Sequence, residues 1–270
     1  MKYTIRKNCF ETNSSSMHSI VITKNEDPLE TIDAENDLYL DTKYHYFIEY
    51  TEDDLSFGRY PFRLLTTWDE KLAYYLASYC SVYVANGYDF EDKYAKAMET
   101  KKMLESIIKN HIVNLPNNLT LADITFEIKL PTTKLIQYKN PFTGELIAPK
   151  YLTFWTEDEN GDRQYTEHPK FKDTNGKFEF AEEAHDNDST KPWAKEYYNF
   201  GDVDHESYGR LQNFLGNKIT AEEFIFSPKY IVVIDGDEYE EFDKLRASGI
   251  FDNAYILWDG YVNSKEDEEY

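Results

Sequence analysis

KYIVVID, residues 229–235, decides the fold class. Ile231 through Ile234 form an unbroken β-branched run. Such a run reads as a buried strand and suits a central or parallel place in a sheet. Gly236 permits a sharp turn after Asp235. EEFDKLRASG (240–249) then reads as a helix ending at Gly249, and AYILW (254–258) as the next strand. Strand, helix, strand in that order predicts a C-terminal βαβ unit.

Upstream, TAEEFIF (220–226) reads as a short capped helix. Thr220 and Glu223 stand at capping-box spacing. ESYGRLQNFLG (206–216) fits a helix closed by Gly216. Near the start, YTIRK (3–7) and HSIVIT (18–23) read as strands, as do LYLD (38–41) and YHYFIEY (44–50). A helix is expected from Thr67 or Asp69, with Leu72, Tyr75, Leu76, Tyr79, Val82 and Tyr83 on its apolar face, ending at Asn86–Tyr88. A second is expected from Phe90 to His111. The short connection makes the two antiparallel neighbours. Strand-like stretches follow around Pro131 and after a turn at 141–144. The fold class is therefore α+β or mixed α/β: a mixed sheet, an inserted antiparallel helix pair and the C-terminal βαβ unit. The expected organisation is an N-terminal mixed region over 1–156, a polar insertion or linker over 157–196, a C-terminal α/β part over 197–263 packed on the first, and an acidic tail over 264–270.

Composition narrows the partners. The 270 residues include 51 acids against 29 Lys and Arg, a formal charge of −22. Such a surface repels nucleic-acid phosphates and anionic membranes, so direct nonspecific nucleic-acid binding is not expected. Divalent cations or a basic host protein fit it better; a solvated acidic surface also accounts for it. The 23 Tyr and 17 Phe argue for a packed core. Cys9 and Cys80 have no metal or disulfide spacing and suit a reducing compartment. No secretory leader or membrane-spanning run is read, which points to the cytoplasm, that of a host if the gene is viral. Walker, dinucleotide-binding, zincin and G-x-S-x-G motifs are absent.

Three polar constellations carry the candidate chemistry. Glu11, Asn13, Ser14, Ser15, Ser16 and His18 crowd a turn between two expected strands. Successive amides and hydroxyls there can cradle a phosphate or carboxylate, with Arg6 supplying charge. A serine nucleophile with His18 as base is a further option. The same residues also make tight turns with no ligand. The second group, GDVDHES (201–207), holds Asp202, Asp204 and His205 as oxygen and imidazole ligands or as acid/base groups; Asp204 or Ser207 equally caps the next helix. The third, DGDEYEE (235–241), sets Asp235 at a strand end, with Asp237 and Glu238 able to hold Mg²⁺ or Mn²⁺ or to serve as N-terminal helix acids. His45, His168 and His185 read as structural or surface residues.

RKNCFETNSSSMHSIVI (6–22) resembles the N-terminus of an uncharacterised protein family of phage and bacterial genomes, marked by Arg6, Phe10-Glu11-Thr12-Asn13, Ser14–Ser16 and His18-Ser19. VDHES and PKYIVVIDGDEY are similar to later stretches of such proteins. The resemblance implies a phage or mobile-element setting and carries over no activity.

If the three groups converge, they suit nucleotide or phosphate binding, with metal-dependent hydrolysis or transfer at phosphorus. The catalytic candidates are His18, His205 and Asp235; the others bind substrate or metal. An acidic phage protein that inhibits a host defence or nucleic-acid-handling protein is the alternative, and a virion component the third reading.

Overall fold

The computed structural model describes residues 17–23, 25–57, 62–80, 90–136, 138–147, 154–157, 163–166, 168–183, 194–203, 211, 219–235, 244, 247 and 256–259. The expected strand at 3–7, the end of the first helix and most of the 206–216 helix lie outside them. Leu211, which is described, is helical.

The chain enters as β1 (Met17–Ile22) and continues through β2 (Tyr39–Thr42), β3 (His45–Glu49), β4 (Ser56–Phe57) and β5 (Arg63–Leu65). Helix α1 (Trp68–Tyr75) runs into a π-helical turn at Leu76–Cys80, and α2 spans Phe90–Asn110. β6 (Thr125–Lys129) and β7 (Thr132–Ile136) stand on either side of Pro131, whose nitrogen cannot donate to a ladder. β8 (Ala194–Tyr198) returns to pair antiparallel with β7. The stretch between those two strands holds short sheets and hairpins of its own. β9 (Asp202–Val203), α3 (Ala221–Phe226), β10 (Tyr230–Asp235) and β11 (Ile256–Asp259) complete the described chain.

The protein is thus a mixed α/β fold with several sheets. The largest has the order β11-β1-β10-β5, with every neighbouring pair antiparallel. β10 is central, as its β-branched run implies, but its neighbours are antiparallel. It is covered on both faces, which explains the missing alternation. Val232 and Ile234 join the main core, while Val233 packs with Val21 in a second cluster. β10 and β11 both oppose β1, so they run parallel to each other with the N-terminal strand between them. The expected C-terminal βαβ strands are therefore not neighbours; Lys244 and Ala247, described between them, are helical. A parallel pair of neighbours does occur mid-chain, where β3 lies beside β6 and α2 packs against β6.

Local chemistry sets the helices. Glu70 accepts from the Thr67 backbone N–H at the start of α1, and Thr220 Oγ1 accepts from the Glu223 N–H at 3.1 Å at the start of α3. Ala97, Leu104 and Ile108 form the buried stripe of α2. Lys101 falls in the same stripe and is also buried, with Glu105 at 2.5 Å. The main core gathers α1, the π turn, α2, α3 and the inner face of the large sheet. Each fully buried aliphatic side chain there contributes roughly 1.5–3 kcal/mol.

Candidate functional site

One end of the large sheet collects the flanks of the first and third polar constellations. Met17, the first described residue after the serine-rich segment, pairs with Asp235, the last before Gly236. Arg63 pairs with Ile234, and Asp259 with Ser19. Of the second constellation, Asp202 pairs with Ser56 and Val203 with Phe57 in a separate two-stranded parallel sheet, whose Phe57 ring lies beside Arg63.

His18 lies beneath this junction, fully buried, opposite Ile234. Its Nδ1 is 3.0 Å from the Tyr74 hydroxyl on α1. Tyr74 is 2% exposed, and burial pushes its phenol well above the usual range. The edge of one ring meets the face of the other where Phe57 packs on Tyr74, with centroids 5.3 Å apart and planes at 82°. The Arg63 guanidinium sits 5.5 Å from the Phe57 ring centre. Arg63 therefore brings a cation to this end, the role sequence reasoning gave to Arg6.

Gly201 explains how β9 docks. Its φ is +88°, and a Cβ there would lie 2.2 Å from the Leu55 carbonyl oxygen. Glycine alone allows that approach, after which the Asp202 N–H donates to the same oxygen at 3.0 Å. Asp202 is exposed. Arg6, Glu11, Asn13, Ser14, Ser15, Ser16, Asp204, His205, Asp237 and Glu238 lie outside the described residues. Among the described residues no group of three His, Cys, Asp or Glu can hold a metal ion. Nor is any described helix long and apolar enough to cross a membrane.

The remaining histidines have structural surroundings. His45 Nδ1 meets Thr125 Oγ1 at 2.9 Å, across the β3–β6 pair. His168, expected on the surface, is half-buried against the Tyr138 ring. His185 lies outside the described residues.

A second polar cluster escaped sequence reasoning. Lys71 of α1 is fully buried, donating to the Ser227 carbonyl at 2.9 Å with Glu30 4.0 Å away. Desolvation lowers its ammonium to about 8, against the opposing pull of Glu30. Burial also raises the Glu30 carboxyl. His111 places Nδ1 3.0 Å from the Glu30 carbonyl and Nε2 2.9 Å from Glu222, with its ring stacked 3.7 Å from Phe226. Glu30 also lines a cleft of about 390 Å³ with Asp37, Thr67 and Asp69. The one sequence signal was Lys71 beside Leu72 on the inward face of α1. Cys80 is buried, and desolvation pushes its thiol up to about 12.

No family model matches the chain, and no curated protein or solved structure does either.

Proposed function

We propose that this chain binds a nucleotide or another small phosphorylated ligand and acts as an enzyme at phosphorus. The observation that carries the reading is the sheet end at which Met17, Asp235 and Arg63 stand on neighbouring strands, with Phe57 of the β4–β9 pair against Arg63. On this reading Arg6, Glu11, Asn13, Ser14, Ser15 and Ser16 hold the ligand. Asp202, Asp204, Asp237 and Glu238 supply oxygens for Mg²⁺ or Mn²⁺, the hard cations such ligands prefer. His205 and Asp235 are the acid/base groups. His18, buried under the junction, takes a positioning role unless the ligand reaches it. The antiparallel sense of α1 and α2, and a helical crossover between β10 and β11, belong to the same proposal, as does the phage setting.

The test is calorimetric titration of the full chain with ADP, ATP and inorganic phosphate, with and without Mg²⁺, alongside a phosphate-release assay. Saturable binding weakened by Arg63→Gln supports the reading. Absence of binding at millimolar ligand in every condition rules it out.

A second reading has its own support. Tyr39, Tyr44, Phe178 and Phe180 are exposed large aromatics on a chain of charge −22. Rings of this kind anchor protein interfaces. This favours an acidic binding protein that occupies a basic, nucleic-acid-handling host protein or a host defence protein. A virion component would share those features. Salt-sensitive binding to a purified partner, lost in Phe178→Ser/Phe180→Ser, separates this reading from the enzymatic one.

A further inference from the structure

We propose that His111 is a proton-operated latch: it ties the residues before Ile32 to α3 while its ring carries two protons, and it releases Glu222 when Nε2 loses one. The latch stands apart from the phosphate reading above.

The ring sits between two acceptors. Nδ1 is 3.0 Å from the Glu30 carbonyl oxygen, and Nε2 is 2.9 Å from a Glu222 carboxyl oxygen. A carbonyl only accepts, so Nδ1 carries a hydrogen. Nε2 and Glu222 then share a second proton. Imidazole is ordinarily a stronger base than a carboxylate, and the Glu222 side chain is 49% exposed, so that proton stays on the ring.

Two further features favour the imidazolium. His111 follows the last residue of α2, and its backbone N–H donates to the Ile108 carbonyl, so the residue stands at the negative end of that helix. Its ring also lies face-to-face on Phe226, with planes at 3°. Two neutral aromatic rings avoid that sandwich, whereas the electron-rich face of Phe attracts a cation. The other charges nearby have their own partners. Lys71 of α1 opposes the imidazolium, but it faces the Glu30 carboxylate, which also accepts from the Trp68 N–H. Glu223 is held by Lys229 and Tyr230, Asp33 by Asn114, and Lys109 donates to the Ile124 carbonyl.

Loss of one proton leaves one donor for two acceptors. The Glu30 carbonyl cannot retreat, because the Glu30 N–H donates to the Phe226 carbonyl at 2.8 Å and the Ile32 N–H to the His111 carbonyl at 2.9 Å. Glu222 can turn to water. The remaining hydrogen therefore stays on Nδ1, and Glu222 is freed into a cleft of about 590 Å³ that it lines with Asn25, Asp27, Thr220 and Lys229. α3 itself stays, since Phe224, Ile225 and Phe226 are buried. The stabilisation is thus present while the ring is doubly protonated and is lost as pH rises through its titration.

The experiment is ¹⁵N spectroscopy of the histidine rings in the full chain at about pH 6 and about pH 9, on either side of the usual imidazole range. His111 is assigned by comparison with His111→Asn. Both ring nitrogens should be protonated at the lower pH, and Nδ1 alone at the higher. A neutral ring with its proton on Nε2, or a ring that does not change between the two, overturns the proposal, and that measurement needs no variant to fold. A double-mutant cycle of Glu222→Gln with His111→Asn, read as urea midpoints, measures the coupling. Asparagine keeps a donor for the Glu30 carbonyl and offers none to Glu222. The coupling should be favourable at the lower pH and vanish at the higher. The titration of Lys71 at about 8 is common to all four proteins and cancels. Equal coupling at both pH values overturns the latch.

Discussion

Replacing Lys71 with methionine should remove a specific pH dependence of stability. The ammonium falls from its usual 10.5 to about 8 in the folded chain because burial disfavours its charge. At 1.36 kcal/mol per tenfold, that difference is worth up to about 3 kcal/mol. Below about 8 the group is protonated in both folded and unfolded chains, and contributes no slope. Between about 8 and 10.5 the unfolded chain holds a proton that the folded chain lacks. Unfolding then takes up a proton, so stability from this group rises with pH across that window. Burial raises the neighbouring Glu30 carboxyl, with Lys71 opposing that shift. Tyr50, Tyr74 and Tyr75, all raised by burial, pull the other way in strong alkali, but they are common to both proteins and cancel in the difference. At neutral pH Lys71→Met loses the bond to the Ser227 carbonyl and escapes the cost of a buried charge, two opposing effects of similar size. The decisive quantity is therefore the change in the difference. Urea melts of both proteins at about pH 7.5 and about pH 10.5 should show the wild type gaining about 2–3 kcal/mol on the variant. A difference that stays constant across that range would refute the account of Lys71 as a desolvated ammonium.

Gly201→Ala should destabilise by about 2 kcal/mol or more, since it forces a side chain into positive φ and against the Leu55 backbone; a melt within a few tenths of wild type would show that β9 is not held in this way. In a Cys9→Ser background, Cys80 should react with an aromatic disulfide reagent only at the rate of unfolding, because its thiol is buried and pushed up to about 12; rapid reaction in native buffer would contradict that burial.

The strands and helices were legible where local chemistry dominates. The β-branched run from Ile231 to Ile234 became the central strand β10. Pro131 separated β6 from β7, and Thr220 capped α3. The alternation in YHYFIEY matched the burial of Tyr46 and Ile48. The sense of pairing was not legible. β10 is antiparallel to its neighbours because β1, some 200 residues away, inserts between it and β11. A continuous apolar strand reports only that both faces are buried: here Val232 and Ile234 join the main core on one face, while on the other Val233 is buried in a cluster with Val21 and Leu64 of the neighbouring strands and Phe62.

The candidate site divides along the same line. Sequence alone marked His18, Asp202 and Asp235 as chemically rich, and it set the acidic charge that any partner must meet. Only the tertiary structure decided that His18 is buried, that its partner is Tyr74 on a helix 56 positions away, and that Arg63 shares its end of the sheet. It also found Lys71 sealed beneath Glu30 and Ser227. Propensity, capping and turn formation are set by neighbours in the chain, so they can be read from residues in order. Burial, proton location and the meeting of distant charges depend on which surfaces exclude water from which, and that is fixed only when strands from both ends of the chain pair.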